Sequence, residues 1–342
     1  MTYLVTGGAG FIGCNYVRRL LDRGEAVVVY DNLSRPGARA NLAWLEQATG
    51  GRLIVDPGDV RDAERLERAA RSADVIVHLA AQVAVTTSVE RPREDFEVNA
   101  LGTFNLLEAA RRSPRRPVVL YASTNKVYGD MGEVGVVEDA SRYRYADRPL
   151  GIDEQQPLDF HSPYGCSKGC GDQYVRDYHR IYGLSTVVLR QSCIYGPRQF
   201  GLEDQGWVAW FAIAAVTGRP ITVYGDGKQV RDLLHVDDLC ACYDRVVERI
   251  DTVAGRVYNV GGGPAQTLAV WSELGPLLSS CLGRPVPAGR GPWRPGDQRV
   301  YVSDVRRARS ELDWAPTVAV NEGVRSLISW VSANRHLFDD LP

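Results

Sequence analysis

The chain has 342 residues, enough for one large α/β unit or two domains. Its 40 Lys and Arg stand against 42 Asp and Glu, and a formal charge of −2 provides no global positive field for nucleic acid or an anionic membrane. Basic groups such as Arg111-Arg112 and Arg115-Arg116 are short and lack aromatic interleaving, and no apolar run is as long as a membrane span, so neither nucleic acid nor membrane is expected as a partner.

Seven cysteines, an odd number without framework spacing, suit a reducing, cytoplasmic compartment. Met1-Thr2-Tyr3-Leu4-Val5 reads at once as strand, and no secretion signal is expected. Cys166 with Cys170, and Cys240 with Cys242, have no His or Cys partners at zinc spacing, and neither His161 nor His235 belongs to an HExxH pattern. These cysteines are expected to be small buried side chains, with no metal bound.

From the start, apolar strands alternate with amphipathic helices, the pattern of βαβ units feeding a parallel sheet. Leu4-Val5-Thr6, Ala26 to Tyr30, Leu53-Ile54-Val55, Val75 to Leu79 and Val118 to Tyr121 read as strands buried on both faces. Helices are predicted over Phe11 to Arg23, Ala63 to Arg71, and Asn99 to Arg111, the last packing through Leu101, Phe104, Leu107 and Glu108. A further helix is predicted from Tyr164 to Tyr182, with a strand at Thr186 to Arg190. The polar stretch from Asp130 to His161 reads as a long functional loop, a lid or substrate loop. After Tyr195-Gly196-Pro197 the alternation loosens into Pro/Gly-rich turns and helices. The expected fold is therefore α/β, a doubly wound parallel (Rossmann) sheet, with a smaller C-terminal lobe closing over the sheet's carboxyl edge.

Gly8-Ala9-Gly10-Phe11-Ile12-Gly13 follows the first strand and opens the first helix, the setting that a dinucleotide-binding GxGxxG needs. Glycines permit the tight turn and the close approach of a pyrophosphate to the helix's positive end. Asp31 ends the second strand 18 residues after Gly13, where an acidic side chain binds ribose hydroxyls and repels a 2′-phosphate. NAD is therefore expected over NADP, with Arg35 the one feature against it. Asp59-Val60 after the third strand is placed for adenine, and Leu79-Ala80-Ala81 after the fourth for the phosphates and nicotinamide ribose.

Tyr164 and Lys168 are four apart and share a helical face, so the ammonium is expected to bias the phenol toward phenolate. Thr124 supplies a hydroxyl beside them. Hydride chemistry on a hydroxyl-bearing substrate follows.

These features together, the TGGxGxxG start, Asp31, Ser123-Thr124 and Tyr164-x-x-x-Lys168, resemble the extended short-chain dehydrogenase/reductase family of nucleotide-sugar enzymes along nearly the whole chain. Longer strings, Asp31 to Arg35, Ser123 to Asp130, Leu158 to Gly169, Asp204 to Trp207 and Gly227 to Asp232, look like its members that invert C2 of a CDP-linked dideoxyhexose. The resemblance implies a homodimer with tightly held NAD, a dinucleotide-binding domain at 1–190, and a mainly nucleotide-sugar-binding lobe at 191–342 with some chain crossing back to the sheet. Catalysis would fall to Thr124, Tyr164 and Lys168. NAD contacts are implied at Gly7, Gly10, Phe11, Ile12, Asp31, Asn32, Ser34, Arg35, Asp59, Val60, Leu79, Ala80, Ala81, Gln82, Asn99, Ser123, Tyr164 and Lys168. Sugar-nucleotide contacts are implied at Gln82, Asn125, Lys126, Gln191, Cys193, Gln205, Arg231, Arg294 and Arg299.

In sugar 4,6-dehydratases of this family an Asp-Glu pair occupies the two positions held here by Asn125 and Lys126. An amide cannot protonate a leaving hydroxyl, and a lysine of ordinary pKa is no base at neutral pH, which counts against elimination. Many 4-epimerases carry Asn where Cys193 follows Arg190-Gln191-Ser192. Trp207, Trp210 and Phe211 could flank a cytosine base, although aromatic residues at helical spacing are more often core. Epimerisation at C4 or on another nucleotide, a net oxidoreductase, and a non-catalytic NAD sensor stay open as alternatives.

Overall fold

A computed structural model describes residues 1–47, 52–294 and 297–339. Seven strands form the central sheet: β1 (Thr2–Thr6), β2 (Ala26–Asp31), β3 (Leu53–Pro57), β4 (Val75–His78), β5 (Val118–Thr124), β6 (Thr186–Gln191) and β7 (Val257–Val260). Their order is β7-β6-β5-β4-β1-β2-β3, with every pairing parallel. The chain winds outward from β1 to β3, then returns to the other side of β1, which creates a crevice between the carboxyl ends of β1 and β4. β4, β6 and β7 are buried along their whole length, as strands covered by helices on both faces must be. One face packs Val5, Val29 and Val77 under the first helix, and the other packs Leu4, Ile76 and Val119 under the helices that follow.

The C-terminal lobe has its own core, built on the helix Trp207–Thr217 and the helix Val320–Ala333. Trp210 and Phe211 are buried in that core, while Trp207 is only partly buried and donates its Nε1–H to Cys193. Small sheets brace the lobe: Val230–His235 pairs with Cys193–Tyr195, Thr267–Ala269 and Val300–Tyr301, and Thr222–Tyr224 pairs with Gly289–Gly291.

Three local expectations change. The stretch 130–161 is no open loop: Val136–Glu138 and Tyr143–Tyr145 form an antiparallel hairpin, and Tyr143 and Tyr145 bury against Val230, Val300 and Tyr301. Its polar sequence conceals this because the anchors are tyrosines whose hydroxyls find partners within the fold, Tyr143 at Asp226 at 2.5 Å and Tyr145 at the Val300 carbonyl at 3.2 Å. The predicted helix from Asn99 starts instead as a π-turn, Glu97–Leu101, and continues as Gly102–Arg112. It packs through Leu106, Leu107, Ala109 and Ala110, leaving Leu101 and Phe104 exposed. Cys240 and Cys242 are buried in the core as expected, but Cys166 is exposed.

Candidate active site

Six of the predicted site segments meet at the carboxyl edge of the central sheet: the glycine turn after β1, Asp31 ending β2, Asp59-Val60 after β3, Leu79 to Gln82 after β4, Ser123 to Lys126 at the end of β5 and Gln191 ending β6. The glycine turn is pressed onto β2 and β4. Gly7 N–H donates to the Tyr30 carbonyl at 2.8 Å, and a Cβ at Gly7, whose φ is +70°, would lie 2.7 Å from Ala80 N. A Cβ at Gly13 would lie 2.2 Å from Gly7 O, so the turn closes only with glycine there. Gly10 leads directly into the helix Phe11–Asp22, whose first turn has no capping side chain and no acidic residue. Phe11 and Ile12 lean on the core beneath. Free N–H groups at the helix start and a turn without side chains are what a pyrophosphate requires.

Asp31 accepts from Ala9 N at 3.0 Å and Leu33 N at 2.8 Å, one bond per oxygen, and keeps further lone pairs for ribose hydroxyls. Burial raises its pKa. Asn32 donates to Asp59 at 3.0 Å, and Arg61 grips both Asp59 oxygens at 2.9 and 2.7 Å, holding that carboxyl well below its ordinary range. Asp59 is thus committed to protein partners, and Val60 is buried under Gly102. Ser34 N bonds back to Asn32 at 3.1 Å. Arg35 reaches Gln205 at 3.2 Å, which ties a position expected at the cofactor to one expected at the substrate. The cradle and the acidic ribose position fit NAD.

Tyr164 and Lys168 occupy the first turns of the helix Ser162–Tyr182, with Lys168 buried and Tyr164 partly so. Their charges do not behave as the spacing suggests. Burial pushes the Tyr164 phenol up to about 12, Thr124's hydrogen bond pulls it back, and Asp95 pushes it further up. Burial brings Lys168 down to about 7, opposed by Asp172 and Asp95, and its Nζ lies 4.3 Å from the centroid of the Tyr121 ring. The expected lowering of the phenol is therefore absent from the protein by itself, because a dry site destabilises both charged forms.

Two buried networks hold this pair, and sequence reasoning missed most of their members. Asp172, one turn beyond Lys168, receives Arg190 through Nε at 2.9 Å and Nη2 at 3.0 Å, and the Ser123 hydroxyl at 2.8 Å. Ser123 therefore spends its hydroxyl on Asp172. On the other side, Ser167 donates to Asp95 at 2.5 Å, and Asn99 Nδ2 lies near Asp95, Ser167 and the Gln82 carbonyl at 3.0–3.1 Å. Asn99 Oδ1 also accepts from Gln82 N at 2.9 Å, so the π-turn fixes the loop of Leu79, Ala80, Ala81 and Gln82. The readable signals were Arg190 in an otherwise apolar strand and Asp172 four residues past Lys168.

Beyond Thr124, Asn125 Oδ1 lies 3.4 Å from the Thr124 hydroxyl, and Lys126 shares its surroundings with Arg231, Asp297 and Cys193. Burial and then Arg231 lower Lys126 to about 8, so it is not the lysine of ordinary pKa that its sequence suggested, although it stays mostly protonated at pH 7. Arg231 pairs with Asp297 at 2.6 Å. Gln191 donates to Tyr243 at 2.7 Å, inside the core. Arg294 lies over the Tyr224 ring, 4.0 Å from its centroid, and Arg299 over the Tyr143 ring at 5.5 Å, so these two do not join the Lys126 and Arg231 group through any described contact. Pro295 and Gly296, between them, lie outside the described residues.

The model of the NAD dependent epimerase/dehydratase family matches residues 3–261, and the chain belongs to that family. It is an NAD-dependent enzyme of the nucleotide-sugar epimerase and dehydratase group. Among characterised proteins it is 43% identical over 340 residues to CDP-paratose 2-epimerase of Salmonella typhi, covering 97% of this chain and 100% of that one. Dehydratases follow at lower identity, such as dTDP-glucose 4,6-dehydratase of Streptomyces niveus, 33% identical over 100% of this chain and 96% of the relative. Among solved structures, UDP-glucose 4-epimerase of Thermotoga maritima with UDP-glucose superimposes with a TM-score of 0.83 at 30% identity, over 98% of this chain and 100% of that one. The NAD-bound dTDP-glucose 4,6-dehydratase of Streptomyces venezuelae gives 0.85 at 33% identity, with 100% of both chains covered.

Proposed function

We propose that this enzyme inverts C2 of a CDP-linked dideoxyhexose, the conversion of CDP-paratose to CDP-tyvelose or one of that type. The observation that carries the reading is the end-to-end 43% identity to CDP-paratose 2-epimerase. Asn125 and Lys126 support it, since neither is the carboxyl acid or carboxylate base that elimination calls for.

NAD, which the glycine turn and Asp31 would hold, would supply reversible hydride acceptance at C2. The positive charge of NAD, when bound, would favour the Tyr164 phenolate that burial alone disfavours; as phenolate Tyr164 takes the proton of the C2 hydroxyl as the carbonyl forms and returns it when the carbonyl is reduced, so oxidation and reduction cancel. Thr124 holds that hydroxyl in line with the phenol. Lys168 lies beside Tyr164 and the nicotinamide ribose, where Asp172 and Asp95 oppose the burial that brings it to about 7, so it carries its charge for part of the time at neutral pH. Lys126, Cys193 and Arg231 face the sugar-nucleotide side, where a cation pair suits a diphosphate. The sugar ring must turn over while its ketone is held, and the lobe shields it from water.

The assembly that suits this chain is a homodimer. Val89, Phe96, Leu101, Phe104 and Tyr174 are exposed, and Phe104 and Tyr174 stack edge to face at 5.9 Å. Exposed apolar side chains of this kind fit a second copy of the chain. Seven unpaired cysteines suit the cytoplasm.

The test is incubation of purified protein with CDP-, UDP-, dTDP- and GDP-sugars, read by NMR. C2 inversion of a CDP-dideoxyhexose without added NADH is the expected result. C4 inversion of a UDP-sugar, or a 4-keto-6-deoxy product, would replace this reading.

A further inference from the structure

Five arginines line one cleft at the far end of the catalytic helix. Arg176 and Arg180 of the helix Ser162–Tyr182, Arg190 of β6, Arg256 ahead of β7 and Arg307 of the helix Arg306–Leu312 surround a volume of about 270 Å³. Glu154 is the one carboxylate in the lining. Arg176 lies 12 residues past Tyr164, roughly 18 Å along the helix, so the cleft is separate from the hydride site.

The cleft holds more positive charge than its partners cancel. Arg190 is neutralised by Asp172, and Arg307 meets Glu311 at 3.2 Å. Arg180 and Arg256 make no side-chain hydrogen bond and no ion pair among the described residues. Arg176 bonds Gln173 through Nη1 at 3.1 Å, but its Nε is buried with no partner among the described residues. Burial and the neighbouring Arg180, Arg190 and Arg307 all disfavour its charge, with only Asp172 opposing them. Glu154 accepts from Asn259 N at 2.7 Å and keeps its charge, so Asp172, Glu311 and Glu154 together leave two of the five arginine charges uncancelled. Elsewhere in the chain arginines find carboxylates, as Arg61 does at Asp59 and Arg65 at Asp56. Like charges gathered from four elements around an unpaired N–H call for an anion.

We infer that this cleft is a binding site for a compact multivalent phosphate, a diphosphate group either free or at the end of a nucleotide. Guanidinium forks present paired donors matched to phosphate oxygens. The volume of about 270 Å³ has room for a diphosphate. Arg190 forms the inner wall and also holds Asp172 beside Lys168, so occupancy reaches the catalytic helix through one side chain.

Calorimetric titration of the NAD-loaded full chain at constant ionic strength, with pyrophosphate in one arm and ADP in the other, tests the inference. With CDP added in excess to fill the sugar-nucleotide site, saturable binding of either is expected, weakened on the order of tenfold or more in Arg180→Ala/Arg256→Ala. The arm with tighter binding tells a free from an ester-borne diphosphate. Both altered arginines are exposed, and a thermal melt of the double variant shows that it is folded. No saturable binding of either ligand, or binding undiminished in the folded double variant, overturns the proposal.

Discussion

Arg190 and Asp172 meet inside the protein as a two-pronged ion pair, at 2.9 and 3.0 Å, with 2% and 0% of their side chains exposed. One residue is next to last in β6 and the other sits a turn past Lys168, so the pair bolts the catalytic helix to the sheet. Replacing Asp172 by Asn leaves a buried guanidinium without its countercharge, and we expect a loss of about 3–5 kcal/mol in urea unfolding. A loss under about 1 kcal/mol would mean that water or another group reaches Arg190.

Tyr164→Phe removes the proton acceptor while leaving the glycine turn and Asp31 untouched. Turnover should fall about 10²–10⁴-fold with NAD still bound, measured by product NMR and by cofactor fluorescence. Near-normal turnover would take the tyrosine out of the mechanism.

Lys168 gives a pH signature in NAD-free protein. Its pKa falls from 10.5 to about 7 on folding, so between those values the unfolded chain holds more protons and stability rises with pH. Below about pH 7 the cost of burying the ammonium is fully present. Lys168→Met lacks this group, so its stability relative to wild type should be greatest below pH 7 and decline toward pH 10. Parallel curves for the two proteins across pH 6–10 would show that Lys168 keeps an ordinary pKa.

Asp31→Asn keeps much of the shape of the ribose position but removes its charge. NAD binding should weaken and the preference over NADP should shrink, each on the order of tenfold in equilibrium titration. An unchanged preference would assign the discrimination to another residue.

The exposed apolar face makes a prediction about assembly. Phe104→Glu places a charge on that face, beside Tyr174, and should shift light-scattering mass from two chains to one. A wild-type protein that is monomeric would remove the face from consideration as a dimer contact.

Run in heavy water, the epimerised carbon should retain its original hydrogen, because the hydride is held within the site. Extensive deuterium there would indicate proton abstraction from carbon instead.

Much of this protein can be read along the chain. The strand and helix alternation, the glycine turn, Asp31 and the Tyr164/Lys168 pair are local patterns, each set by residues within a few positions of one another. The hairpin at 136–145 was not legible, because Tyr143 and Tyr145 are buried only against strands about 90 and 155 residues further on. The face of the helix Gly102–Arg112 was misread for a related reason: a π-turn ahead of it rotates which residues point inward.

By itself, the sequence determined the doubly wound sheet and picked out the candidate reacting groups, since hydrophobic period, glycine placement and side-chain chemistry are properties of short segments. Only the tertiary structure decided the electrostatics of those groups. Burial raises Tyr164 and lowers Lys168 and Lys126, and Asp172, Asp95, Arg190 and Arg231 arrive from distant parts of the chain. A charge responds to the dielectric and the partners around it, and both come into being only when the chain has folded.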